Sequence, residues 1–263
     1  MPALVEACVD SVASAAAAER GGAARLELCD ALYDAGTTPS AGMIAAVKER
    51  VRIPVFVIVR PRGGGFVYGA DEMDVMLRDV RAARSLGADG IVIGALRADG
   101  VVDAAATASL VDAAGALPVT FHRAFDLVAD REAALETLAA CGVRRVLTSG
   151  GAPTAIEGAD AIAALVAQSA GRVGVVAGGG VREAHVGELV RRSGVREVHV
   201  RGTRPARTVM APANDAIRLR KALPEDEGAW EETDEERIRE FVRCAGDDST
   251  YEFWKDFEGL KKD

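Results

Sequence analysis

Aromatic residues are scarce in this 263-residue chain, at 5%. Ala and Val do most of the filling, and 49% of residues are hydrophobic. That mixture suits buried parallel strands and close helix packing better than a β-sandwich. Only four cysteines occur, Cys8, Cys29, Cys141 and Cys244, with no C-x-x-C pair and no Cys/His zinc spacing. A disulfide scaffold is excluded at that density, and reduced thiols are the expectation. No apolar run reaches the roughly 18 residues of a membrane span. The opening "MPALVEACVD" carries two acids and no cationic, hydrophobic signal, so the expected location is the cytoplasm. Basic excess is lacking too: a net charge of −8 disfavours nucleic acid or an anionic membrane as partner. The acid concentrates after residue 224, however, while arginines cluster at 60–62, 144–145 and 191–207, which leaves room for a local basic pocket.

What is present is an alternation. Eight short Val/Ile/Leu-rich runs, at 3–9, 24–29, 53–60, 89–96, 117–123, 143–149, 171–178 and 195–202, read as strands. Ala-rich amphipathic stretches at 11–20, 41–50, 72–86, 103–114, 130–140, 155–169, 182–192 and 233–244 read as helices. Asp10 or Ser11 and Ser40 stand where N-caps belong, and Gly87, Gly115, Gly142 and Gly194 stand just past helix ends. Eight β-α alternations predict an α/β chain folded as a single-domain (β/α)8 TIM barrel. A doubly wound sheet is the runner-up, but no G-x-G-x-x-G follows the first strand and the first crossover is short. The expected division is a barrel domain over 1–245, interrupted by an irregular loop at 203–231, and a C-terminal tail at 246–263. Trp254, Phe253 and Phe257 could dock that tail, or it could be largely disordered.

In such barrels the working residues sit at the C-terminal ends of strands. Period-two alternation puts Glu6 and Cys8 of the first strand on the inward face, with Arg25, Glu27 and Cys29 of the second. Two carboxylates and two thiols would then stand on neighbouring strands about 4.8 Å apart. In "VRPRGGGF", Arg60 and Arg62 share a face and could hold an anion or neutralise the Glu pair. His122 in "TFHRAFD" is the candidate general acid/base, with Asp126 to orient it and Arg123 beside it. The turns "TSGG" and "AGGG" suggest an anion cradle from Thr148, Ser149, Gly150, Gly179 and Gly180. Glu197, His199 and Arg201 share a face of the last strand. Tight turns and a hydrogen-bonded structural histidine are the blander readings of the same residues. Cys141 and Cys244 read as packing residues.

Taken together, "VEACVDS", "ARLELCD", "TPSAG", "VRPRGGGF", "TFHRAFD", "VLTSGG", "AGGGV" and "EVH" resemble the CutC family, known as copper homeostasis proteins. The resemblance implies a (β/α)8 barrel, a cytoplasmic location and a homo-oligomer, a dimer or tetramer. It also implies copper binding, with Cys8 and Cys29 matching the proposed ligands. Cu(I) is soft and prefers thiolates. No organic cofactor is implied. After "EVH" the chain departs from the family's small residues with "VRGTRPART". Two functions stay open at this point. One is a copper homeostasis protein. The other is a barrel enzyme using Glu6, Glu27 and His122 on a small anionic, perhaps phosphorylated, substrate, with copper binding incidental.

Overall fold

The structure is a computed structural model that describes residues 3–209 and 228–246. Eight parallel strands close into a barrel in sequential order. They are β1 (Leu4–Val9), β2 (Arg25–Leu28), β3 (Val55–Ile58), β4 (Gly90–Ile93), β5 (Val119–Phe121), β6 (Arg145–Thr148), β7 (Gly174–Gly178) and β8 (Glu197–Val200). Each lies inside its predicted run. Helices α1 (Val12–Arg20), α2 (Ala41–Arg50), α3 (Ala70–Ser85), α4 (Ala104–Ala114), α5 (Arg131–Ala140), α6 (Ala159–Ser169), α7 (Val186–Ser193) and α8 (Glu235–Cys244) alternate with them. The expected TIM barrel is therefore the fold.

The helices start where side chains can cap them. Ser11, Ser40, Asp103, Asp130 and Asp234 each accept a hydrogen bond from a backbone N–H in the first turn. Such a cap contributes about 1 kcal/mol. Outward-facing strand residues such as Leu26, Leu28, Val55 and Val57 are fully buried under the helix layer. The last helix seals the ring. Ile238 and Phe241 of α8 are fully buried, and each contributes about 2–3 kcal/mol through burial. Ile238 reaches α1 because residue 21 is glycine; a Cβ there would come within 2.7 Å of the Ile238 Cβ.

The interior is more polar than the helix layer. Phe56 fills the barrel between two guanidinium groups, Arg25 at 4.9 Å and Arg145 at 4.3 Å from the ring centroid. Gly90 makes room for that ring, since a Cβ there would lie 2.4 Å from it. Burial, and the charge of Arg25 nearby, lower the Arg145 pKa to about 10.

The segment read as an irregular loop over 203–231 carries strands at its ends. β9 (Thr203–Arg207) and β10 (Ala229–Thr233) form an antiparallel pair. Their pairing partners lie more than 20 residues apart, so no local signal announces them. The stretch between, and the tail with Phe253, Trp254 and Phe257, lie outside the described residues.

Candidate functional site

β1 lies between β8 and β2, and the register of this trio sets the chemistry. Glu6 is level with both Arg25 and His199, while Cys8 is level with Glu27. The two E-x-C stretches are thus offset by one inward step, and Cys29 stands above Glu27. Inside the barrel, Glu6 forms ion pairs with Arg25 and His199, and Arg25 also pairs with Glu197. The His199 imidazolium donates from Nδ1 to Glu6 Oε1 at 2.7 Å. Both Glu6 and Arg25 are at least 97% buried, so the pairing is scarcely screened by water.

These contacts set the protonation states. Burial pushes the Glu6 carboxyl up, but Arg25 and His199 outweigh it and hold it below the usual carboxylate range. For His199 burial acts against the charge, yet Glu27, Cys8 and Glu6 keep the ring protonated well above its ordinary pKa. The Cys29 thiol bonds toward Cys8 and, despite burial and with help from His199, brings the Cys8 thiol down to about 6. Cys29 itself is pushed up by the same contact and by burial. Burial raises Glu27 to about 8. Near neutral pH the mouth therefore holds a Cys8 thiolate beside a Cys29 thiol, with a largely protonated Glu27 below.

The sulfur atoms of Cys8 and Cys29 are 3.8 Å apart, and Cys29 Sγ is 3.4 Å from Glu27 Oε1. Two metal–sulfur bonds of about 2.3 Å can span up to about 4.6 Å, so one ion can reach both sulfurs. Donor atoms of Cys8, Glu27 and His199 lie within 4.8 Å of one another, the one such group among the described residues. Glu27 Oε2 is buried with no hydrogen-bond partner among them. Once His199 and Glu27 have given up their protons, this set of sulfur, imidazole nitrogen and carboxylate oxygen fits a metal ion.

These groups form the floor of a cavity of about 500 Å³ that also reaches Arg60, His122, Arg123, Gly179 and Gly180. His122 packs against Phe66 at 4.9 Å between ring centroids, and it fits because residue 94 is glycine. A Cβ on Gly94 would lie 2.1 Å from the imidazole. Burial and the nearby Arg60 charge push His122 down to about 3, so the ring is neutral rather than poised for proton transfer at neutral pH. Arg60 donates to the carbonyls of Asp34, Gly36 and Gly64. It thereby holds the β2–α2 loop, where Ala31 and Ala35 take left-handed backbone angles.

Four expectations change. Asp126 does not orient His122: the chain turns into a 3-10 helix at Arg123–Leu127 and swings the carboxylate to β6. There Asp126 accepts from the Thr148 hydroxyl at 2.5 Å, from the N–H groups of Ser149 and Gly151, and from Arg123 at 2.7 Å. The Gly150 N–H goes to Thr148 Oγ1. The anion cradle read from Thr148, Ser149 and Gly150 is thus filled by the protein's own carboxylate, and none of the three lines the cavity. Arg62 leaves the site as well, because β3 ends at Ile58 and strand parity no longer applies to it. It pairs with Glu72 and donates to the carbonyls of Gly63, Gly65 and Val67. Finally, the 3-10 turn lets Arg123 reach the same cavity as His122, although regular alternation would oppose them.

Replacing Asp126 by alanine should strip acceptors from several loop donors at once and cost about 2–4 kcal/mol, since hydrogen bonds to a charged group contribute about 1.5–3 kcal/mol each. Urea unfolding of Asp126→Ala against the parent checks this. A change within experimental error would show that the loop holds without its carboxylate.

Some cavity residues escaped the sequence reading. Arg182 and Arg237 line it from outside the strands, where barrel parity says nothing about direction. Arg237 is tied to Glu183 at 2.7 Å. Gly94 carried a usable signal, as a small residue at the end of an apolar strand run.

The fold is a closed (β/α)8 TIM barrel, and its mouth carries a candidate metal-ligating group of Cys8, Glu27 and His199 with Cys29 beside it. The CutC family profile matches residues 3–204. The chain is 46% identical over 244 residues to the copper homeostasis protein cutC homolog of Mus musculus, covering 93% of this chain and 90% of the mouse protein. It is 48% identical over 239 residues to a family protein CutC of Xylella fastidiosa, covering 91% and 87% respectively. The crystal structure of the CutC protein from Streptococcus agalactiae superposes with a TM-score of 0.72 at 34% identity, covering 76% of this chain and 98% of that one. The chain belongs to the CutC family.

Proposed function

We propose that this chain is a copper homeostasis protein that takes Cu(I) as its cargo on Cys8 and Cys29, with Glu27 and His199 as adjoining donors. One observation carries the reading: two buried thiols 3.8 Å apart, one of them held largely as thiolate. Thiolate is the form that ligates, and Cu(I) is the soft ion that favours it. His199 would release a proton if it joined the ligand set, so uptake is coupled to proton loss. The same reading includes a cytoplasmic location, where thiols stay reduced, a homo-oligomer, and a barrel domain over 1–245 with a tail at 246–263. No helix among the described residues is long and apolar enough to cross a membrane.

Acid–base catalysis has weaker support. Of its four candidates, Glu6 stays ionised, His122 stays neutral and Asp126 is bound into the β6 loop. Glu27 is raised to about 8 by burial. A competitive Cu(I) titration under reducing conditions tests the copper reading. The Cys8→Ser/Cys29→Ser variant should lose at least about 100-fold in affinity, more than loss of a supporting group usually costs. Equal affinity in the two proteins would refute it.

A further inference from the structure

The cavity carries more polar groups than a thiol site uses. Besides Glu27 Oε2, two buried donors on its wall have no partner among the described residues: Arg60 Nε and His122 Nε2. The two side chains are only 3% and 6% exposed. Buried polar atoms are rarely left unpaired, so each implies something that pairs with it. The tautomer of His122 follows from its other nitrogen. Nδ1 accepts from the Ala124 N–H at 3.1 Å, so in the neutral ring the hydrogen sits on Nε2. Both orphan atoms therefore offer N–H groups and call for an acceptor oxygen.

The β7–α7 loop supplies the opposite wall. Gly179, Gly180, Val181 and Arg182 all line the cavity, and their N–H groups donate to no described group. Gly179 and Gly180 have φ of 105° and 63°, angles that leave this backbone bare of side chains. A Cβ on Gly179 would lie 2.8 Å from the Arg123 guanidinium carbon, so the bare loop is what admits Arg123. Arg182 makes no hydrogen bond or close ion pair with a described side chain. Among the described residues, Arg201 pairs with the Glu231 carboxylate at 3.5 Å. The contrast with β6 is informative. Two Gly-rich turns stand side by side; Asp126 accepts from the N–H groups of the first, and no described carboxylate accepts from those of the second.

We propose that this cavity binds a small organic phosphate. The phosphate lies on the β7–α7 loop and is held by Arg123, Arg182 and Arg201, while an oxygen of its organic part accepts from His122 Nε2 and Arg60 Nε. The number of donors decides the class. Four loop N–H groups and three guanidiniums, even with Arg123 shared with Asp126 and Arg201 with Glu231, exceed what the two oxygens of a carboxylate can accept, whereas a phosphate ester offers three terminal oxygens with room for several bonds each. A cavity of about 500 Å³ is within the usual range for a small-molecule site. None of the phosphate's proposed partners is one of the two cysteines proposed to hold copper.

The test is calorimetric titration of the full, metal-free chain with inorganic phosphate, glycerol 3-phosphate and glycerol, each against potassium chloride at matched ionic strength. Glycerol 3-phosphate should bind about tenfold more tightly than inorganic phosphate, the effect of one ordinary hydrogen bond. Glycerol alone should not bind. Arg182→Ala, a change at an exposed position, should weaken both phosphates by about fivefold or more. His122→Phe, with its fold verified by circular dichroism, should erase the preference for glycerol 3-phosphate and leave inorganic phosphate bound. Cys8→Ser/Cys29→Ser should bind phosphate as the parent does, which separates this site from the copper reading. Phosphate no better than chloride, unchanged binding in Arg182→Ala, or equal affinity for the two phosphates would each overturn the proposal.

Discussion

Glu6→Ala should lower the free energy of unfolding by about 3–5 kcal/mol, the usual cost of removing one partner from a buried ion pair. The reason is what it leaves behind. Arg25 is 2% exposed and lies between Glu6 and Glu197, with Phe56 against its guanidinium. Without Glu6 that charge keeps only Glu197 and has no route to water. His199 loses its 2.7 Å acceptor and keeps Cys8 and the more distant Glu27, at 3.9 Å. A domain of ordinary stability has about 5–15 kcal/mol in all, so the loss is about a fifth or more of the total. Glu6→Gln should cost less, because the amide oxygen still accepts while the charge is gone. Urea unfolding of the three proteins at pH 7 gives the comparison. If Glu6→Ala fell within about 1 kcal/mol of the parent, the range of an ordinary surface change, Arg25 would have to reach solvent or another anion.

His122→Asn should remove much of the acid sensitivity. In the folded chain His122 titrates at about 3, against an ordinary value of 6.5. Between those values the unfolded chain takes up a proton that the folded chain refuses. The contribution is therefore fully present above pH 6.5 and is lost as pH falls toward 3. The slope approaches about 1.4 kcal/mol per pH unit below pH 6.5, which amounts to about 2 kcal/mol between pH 6.5 and 4.5. Asparagine can still accept from the Ala124 N–H but does not titrate. Glu27 acts in the opposite direction: raised to about 8 from 4.5, it contributes stability below 4.5 that is lost as pH rises to 8. Both proteins carry Glu27, so it cancels in their difference. Urea unfolding of the pair at pH 6.5, 5.5 and 4.5 should show the parent losing about 2 kcal/mol more than the variant. Parallel losses would mean that the folded imidazole accepts its proton normally.

Much of this was legible along the chain, and the failures share a cause. Glu6, Cys8, Glu27 and Cys29 face inward as period-two alternation requires, and Leu26 and Leu28 face the helices. Ser11 and Ser40 cap the helices they precede. Arg62 leaves the shared face because alternation stops at Ile58, four residues before it. Asp126 was misread because four residues of separation from His122 look like proximity, while the 3-10 turn points the carboxylate elsewhere. "TSGG" and "AGGG" are nearly interchangeable as text, and only the position of Asp126 makes one closed and the other open.

The sequence by itself determined the barrel, its eight strands, the inward set of acids and thiols, and the starts of the helices. All of these depend on side-chain period, apolarity and capping over a few contiguous residues. Tertiary structure alone decided that Glu6 stands level with Arg25 and His199, that Cys8 stands level with Glu27, and that Cys29 comes within 3.8 Å of Cys8. Those relations follow from the stagger needed to close eight tilted strands into a ring. Stagger is a property of the closed ring, and so are the charge states that it imposes on the mouth.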